Sequence, residues 1–234
     1  AETLNVQALV SSRVDGLLIS HTKETTSFEH VKLQLKNGLP IVHFDRVCGE
    51  VDTAKVIQED FSGSFALVEH LIQQGCTRIA VCAGPKDLLI SENRLNGYKA
   101  ALAKYGIPID EELIFHSNFR EADSLIALAR WFDLSNKPDA IFALHYGNAI
   151  EMMVELKQKG IKIPNEIALV AFGDDILASL IEPSLTVFKQ SAYTIGQEAA
   201  SILIDNIINK ETFIPFTKTI KGKLIIRQSS QKTG

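Results

Sequence analysis

The chain has 234 residues, 46% of them hydrophobic and 22% charged, and a formal net charge of −4. That length and apolar content support one large domain or two modest ones, each with a buried core, and 14 glycines with 7 prolines are too few for a fibrous or disordered chain. The mildly acidic balance argues against a broad basic surface for nucleic acid, and no apolar run approaches the ~18 residues of a membrane span.

In chain order, apolar runs alternate with helical patterns. A strand is predicted over 14–20, a helix over 28–36 closed by Asn37-Gly38, and a strand over 40–44 that ends at Asp45 and Arg46. A short strand at 56–58 precedes a helix over 62–74, whose inner face carries Phe65, Leu67, Val68, Leu71 and Ile72 and which Gly75 stops. Then come a strand over 78–84, a helix over 93–105 before Gly106, a strand over 113–116, a helix over 122–132, a strand over 139–144 and a helix over 148–159 before Gly160. The run 167–172 is apolar or small throughout, the pattern of a strand buried on both faces of a parallel sheet. A turn, Gly173-Asp174-Asp175, and a short amphipathic stretch lead to a strand over 185–190. A helix over 193–208 and one or two strands within 216–228 complete the chain.

This alternation predicts βαβ units. The strands are too many for one small sheet, so the expected fold is α/β, with two doubly wound parallel-sheet lobes joined by crossover strands. Three strands fall before residue 58 and five between 60 and 190, which makes the first lobe look incomplete at its amino end.

Polar residues gather where strands end, the place where open α/β sheets hold ligands. These are Asp45 with Arg46, His145 with Tyr146, the Gly173 turn with Asp174, and His116 with Phe119 beyond it; Arg94 opens a helix. Hydrogen-bonding groups with flat apolar faces suit a neutral polyhydroxylated ligand. Evidence for catalysis is missing from the pattern. Gly84-Pro-Lys-Asp87 lacks the glycine spacing of a nucleotide loop. The six histidines show no metal-ligand spacing, and no serine sits in a G-x-S-x-G elbow. Asp174 and Asp175 read as turn residues and a ligand contact rather than as an acid–base pair. Cys48, Cys76 and Cys82 cannot all pair and form no CxxC, which fits reduced thiols in a cytoplasmic protein. The expectation is therefore a non-enzyme with no cofactor and no metal.

The ordered phrases resemble the effector-binding domain of LacI/GalR-type transcriptional regulators, a type I periplasmic binding protein-like fold. They are Arg13-Val-Asp-Gly-Leu-Leu-Ile-Ser20, Pro40-Ile-Val-His-Phe-Asp-Arg46, His70-Leu-Ile-Gln-Gln-Gly-Cys-Thr-Arg-Ile-Ala80, Arg94-Leu-Asn-Gly-Tyr-Lys-Ala-Ala-Leu102, Lys137-Pro-Asp-Ala-Ile-Phe-Ala143, the run from Gly160 to Phe172, and Leu185-Thr-Val-Phe-Lys-Gln190. The resemblance implies an amino-terminal subdomain of residues 1–58 and 190–219, lacking its first strands and the DNA-binding headpiece. It implies a carboxyl-terminal subdomain of 59–189 and 220–234, with a small molecule held between the two.

By the same resemblance Arg94 binds effector hydroxyls, Phe119 stacks on the ligand, and Asp45 and His145 are further ligand contacts; Tyr146, a flat apolar face at a strand end, and Gln190, at the end of the 185–190 strand, are expected to join them. Two departures stand out. Gly173 occupies the usual position of a ligand aspartate, so either Asp174, next to it, takes over as a ligand contact or this contact is absent. His145-Tyr-Gly-Asn-Ala149 lacks the family's aspartate. Leu88 and Ile90 are apolar where purine-responsive members are polar, which points away from a purine. The implied function is sensing of a sugar or sugar phosphate by a cytoplasmic homodimer that binds operator DNA through a headpiece outside this sequence. The alternative is a periplasmic sugar-binding protein of a transport system.

Overall fold

Residues 1–120, 122–173 and 175–232 are described by a computed structural model. It separates into two units, Ala1–Glu59 with Ser191–Lys221, and Asp60–Gln190 with Gly222–Gly234.

The first unit contains α1 (Glu2–Ser11), β1 (Leu17–Ile19), α2 (Glu29–Lys36), β2 (Ile41–Phe44) and β3 (Ala54–Gln58). The second contains α3 (Asp60–Gln73), β4 (Ile79–Ala83), α4 (Leu89–Lys104), β5 (Ile114–His116), α5 (Asp123–Phe132), β6 (Ala140–Ala143), α6 (Tyr146–Gln158), β7 (Ala168–Phe172), α7 (Ile176–Leu180) and β8 (Thr186–Lys189). The chain then returns to the first unit for α8 (Ala192–Ile208) and β9 (Thr217–Ile220), and ends in the second with β10 (Lys223–Ile225). The tail strands thus belong to different sheets.

The second unit holds a six-stranded sheet in the order β10-β8-β7-β6-β4-β5. Its neighbours pair in parallel except β10, which runs antiparallel to β8 at the edge. Successive side chains of a strand point to opposite faces, and the packing follows that rule. Ile79, Val81 and Ala83 of β4 join Phe142, Val170 and Phe172 beneath α3 and α4, which contribute Leu67, Leu71, Tyr98 and Leu102. Ala80, Cys82, Ile141, Leu169 and Val187 face the other way, against Leu128 and Trp131 of α5 and Met152 and Leu156 of α6. A sheet covered on both sides needs apolar residues at nearly every strand position, which is why these runs do not alternate with polar residues in sequence.

Helices α3 and α4 pack closely at Gly97, where a Cβ would collide with the carbonyl oxygen of Phe61 and lie 2.9 Å from the Ser64 Cβ. Gly75, at φ 84°, ends the turn after α3 in the left-handed region that glycine enters without a Cβ penalty.

The first unit holds a four-stranded parallel sheet in the order β1-β2-β3-β9. Leu17, Ile19 and Ile41 pack with Val6 of α1 and Val31 of α2. Val42, Ala54 and Val56 pack on the opposite face with Ile195, Ala199 and Ile202 of α8.

Several boundaries differ from the sequence reading. Helix α1 was not anticipated, because among its residues only Val6 is buried and no apolar stripe marks the segment. Helix α4 begins at Leu89 rather than near residue 93, and β3 begins at Ala54 rather than Val56.

Candidate functional site

The second unit gathers its functional groups at the carboxyl ends of β4, β6 and β7. Arg94, on the first half of α4, is 8% exposed, and Asp60, the first residue of α3, is 5% exposed. Arg94 Nε donates to Asp60 Oδ1 at 2.8 Å, and Nη1 donates to the Leu144 carbonyl at 2.7 Å. The guanidinium carbon lies 3.7 Å from the centroid of the Phe172 ring, a cation–π stack. A buried guanidinium is tolerated when its charge is paired and its donors are met. Here a carboxylate, a carbonyl and an aromatic face hold it in one orientation, and its Nη2 edge makes no hydrogen bond to the described residues.

Phe119 follows β5 with φ 53°, a left-handed backbone conformation uncommon outside glycine. Its ring lies 5.5 Å from the His145 ring. Gly84, just past β4, is crowded by the same group: a methyl there would collide with the Ser91 hydroxyl and sit 2.6 Å from Phe119 Cζ. Only glycine lets the chain pass between them.

His145 is the N-cap of α6, and its Nδ1 accepts from the Gly147 N–H at 3.2 Å. Burial, and then the neighbouring Arg94 charge, hold its pKa below the usual histidine value. A neutral imidazole that accepts at Nδ1 carries its proton on Nε2, so His145 can donate there.

Tyr146 opens α6 and packs in part on the α5–α6 face of the core, with its hydroxyl pKa raised by burial and then by the Asp175 charge. Gln190 follows β8, and its buried Nε2 has no hydrogen-bond partner among the described residues. Asp174 lies outside the described residues. Its neighbour Asp175 caps α7, with Oδ1 accepting from the Leu177 N–H at 3.1 Å.

Asp45 belongs to the first unit, so the structure does not assemble all the expected contacts within one unit. It follows β2 at φ 58°, and its N–H donates to the Val56 carbonyl at 3.0 Å. A second polar cluster lies in the same unit. Glu2 accepts from the Thr22 N–H at 2.9 Å and the Thr25 hydroxyl at 2.8 Å, and pairs with His21 Nδ1 at 3.1 Å and His30 Nε2 at 2.8 Å. Burial pushes the Glu2 carboxyl up, but these hydrogen bonds outweigh it and hold the pKa at about 2.

His21 and His43 meet edge to face with ring centroids 4.4 Å apart. Burial lowers the pKa of His21, so its contact with Glu2 is a hydrogen bond from a neutral ring rather than an ion pair. His43 is fully buried with neither ring nitrogen hydrogen-bonded among the described residues. Burial, then the repulsion that a protonated His21 would add and the Lys55 charge, push its pKa down to about 3.

Among the described residues no three histidine, cysteine or carboxylate side chains are placed to hold a metal ion, and no helix is long and apolar enough to cross a membrane. Sequence reading placed Arg94, Phe119 and His145, which come together. It did not place Asp60, Leu144 or Phe172 around Arg94. The only signal for Asp60 was its position at the start of a helix, where an acidic residue is ordinary.

Residues 68–230 match the periplasmic binding protein-like domain family, and the chain belongs to that family. The proteins it resembles include HTH-type transcriptional regulators and, among solved structures, a sugar-binding transcriptional regulator of the LacI family from Escherichia coli (28% identity, TM-score 0.83, over 97% of this chain and 81% of that one). The probable HTH-type transcriptional regulator EndR of Paenibacillus polymyxa is 32% identical over 209 residues, covering 88% of this chain and 60% of the relative. The HTH-type transcriptional repressor CytR of Escherichia coli K12 is 27% identical over 226 residues, covering 97% of this chain and 65% of the relative. The chain therefore spans less than two thirds of the length of these relatives. The transcriptional regulator CelR, solved as a complex with cellobiose, aligns with a TM-score of 0.87 at 28% identity, over 96% of this chain and 68% of that one.

Proposed function

We propose that this chain is the effector-sensing part of a LacI-type transcriptional regulator and binds a small polyhydroxylated molecule at the carboxyl ends of the strands in the second unit. The observation that carries this reading is the Arg94 guanidinium, buried and fixed by Asp60, Leu144 and Phe172 with one edge uncommitted. Phe119 supplies a flat face for a sugar ring, and His145 Nε2 a second donor. Fixed donors beside aromatic surfaces discriminate ligands by unpaired polar groups rather than by area. None of these groups is a nucleophile set beside a base, which favours binding over turnover. Asp45, Tyr146, Gln190 and Asp174 are proposed as further contacts.

Regulatory output follows from differential affinity. A ligand moves a two-state protein only as far as it binds one state better. The reading includes a cytoplasmic homodimer whose operator contacts are made by a headpiece outside these residues; the relatives being regulators rather than transport receptors supports it.

A thermal-shift screen of mono- and disaccharides, followed by calorimetry, tests the proposal. A sugar should raise the melting temperature by mass action, and Arg94→Ala should weaken its binding by about 1–3 kcal/mol by leaving ligand oxygens unpaired. Equal affinity in the variant, or no sugar that stabilises the wild type, would remove the assignment.

A further inference from the structure

One phenylalanine ring touches the Arg94 guanidinium, and a second touches that ring. Phe172 and Phe188 are direct partners in the register of β7 and β8, so their side chains stand on the same face of the sheet. Both belong to the core beneath α3 and α4. Their ring centroids are 5.2 Å apart at 41°, within the range of direct aromatic packing. Arg94 Cζ lies 3.7 Å from the Phe172 centroid, which completes a chain of contacts from Phe188 to the guanidinium.

The far ring is pinned by two glycines. A Cβ on Gly63 would lie 2.6 Å from Phe188 Cδ1 and Cε1 and 2.9 Å from Phe172 Cε2. A Cβ on Gly222 would collide with Phe188 Cε1 and lie 2.8 Å from its Cζ. Bare backbone therefore abuts the same ring edge from two segments. Phe188 is buried, and in a close-packed interior it cannot shift without moving what it touches.

The two glycines belong to different parts of the unit. Gly63 follows Asp60 by three residues on one face of α3, and Asp60 holds Arg94 Nε at 2.8 Å. Helix α3 thus meets the guanidinium through a carboxylate and again through the rings. Gly222 is where the chain enters this unit after Lys221 of the first, and Leu224 of the following strand pairs with Phe188.

We infer that Phe188 is a positioning residue: pinned between Gly63 and Gly222, it sets the tilt of the Phe172 ring and so the orientation of the Arg94 guanidinium, and it ties the chain crossing at Gly222 to that group. Packed side chains carry such coupling, and the coupling is reciprocal. The inference deepens the effector reading, on which it rests for the role of Arg94 but not for the relay itself.

The test follows the Arg94 Nε–H resonance in the whole, isotope-labelled chain, identified by its absence from Arg94→Lys. The guanidinium stacks on Phe172, so the chemical shift of this proton reports the tilt of that ring. Phe188→Leu and Gly222→Ala should each move it. In the double variant the shift should equal that of Phe188→Leu alone, because the ring edge that the new methyl meets is gone; independent sites would add instead. The same methyl meets the Lys189 carbonyl at 2.8 Å in either background, so a shift carried by that contact would persist in the double variant and overturn the relay. Leu71→Ala empties volume from the same core about three turns along α3 from Asp60. It should lower the melting temperature and leave the resonance in place.

An unmoved resonance in Phe188→Leu, or an equal shift in Leu71→Ala, would also overturn the proposal. Should Gly222→Ala fail to fold, recovery of folding in the double variant reads the same coupling, and no recovery defeats it. A failed sugar screen would defeat the effector reading and leave this result standing, since the readout needs no ligand.

Discussion

Arg94 in the second unit and His43 in the first are buried in opposite ways. In the second, the buried Arg94 guanidinium is paired: Asp60, the Leu144 carbonyl and the Phe172 ring surround it. In the first, His43 has no such company: it is fully buried with both nitrogens unpaired among the described residues, and it is accommodated by staying neutral. Burial of a charge requires partners built from distant parts of the chain, whereas burial of a weak base requires only that it lose its proton. A network holds a group in one orientation and so suits recognition. A neutral orphan ring fills space and makes the unit acid-sensitive.

The largest effect should come from breaking the network. Asp60→Ala leaves the Arg94 charge buried without its carboxylate and should destabilise the protein by about 3–5 kcal/mol. Chemical denaturation measures this, and a loss below about 1 kcal/mol would mean that the pair is no more than a surface contact.

Acid should strike the first unit. The folded pKa of His43 is depressed below the unfolded value, so its contribution to stability is complete above about pH 6.5 and is lost as pH falls from there toward 3. While the unfolded ring takes up a proton that the folded ring refuses, stability falls by about 1.4 kcal/mol per pH unit. His21 is shifted in the same direction and adds to the slope. Glu2 contributes lower down: its depressed pKa stabilises above about pH 4.5 and that gain is lost as pH falls toward 2. Denaturation midpoints measured from pH 7 to 4 should therefore decline. A flat profile would show that the buried histidines do protonate in the folded state.

Gly97→Ala should cost about 1–3 kcal/mol by overpacking, since the added methyl meets the Phe61 carbonyl between α3 and α4. A neutral result would mean that these helices slide apart freely.

His43→Leu should have the smallest effect and the opposite sign to Asp60→Ala. It replaces unpaired nitrogens with apolar volume, and should be neutral or stabilising by about 1 kcal/mol at pH 7. It should also remove about one proton from the acid slope. Strong destabilisation would reveal a partner for the ring that the described residues do not supply.

What could be read from the sequence was local. The run from Ile167 to Phe172 declared a strand buried on both faces, because every residue in it is apolar or small. Gly75, Gly106 and Gly160 marked helix ends because a turn there needs positive φ, and all three have it. Phe119 and His145 were singled out by their place beyond strands, Arg94 by its place at a helix start, and all three by resemblance to a known pattern.

The partners of Arg94 were not readable. Asp60 is 34 residues away in sequence and Leu144 is 50 away. They meet Arg94 only because β4 and β6 pair in one register, Cys82 opposite Ala143, and because Gly97 lets α3 lie against α4. The unpaired state of His43 was equally hidden, since periodicity shows that a residue faces the core but not what else is there. Patterns along the chain record which faces must be buried, because that preference belongs to each residue. Which groups then satisfy one another depends on contacts between segments far apart in sequence, and only the folded arrangement decides those.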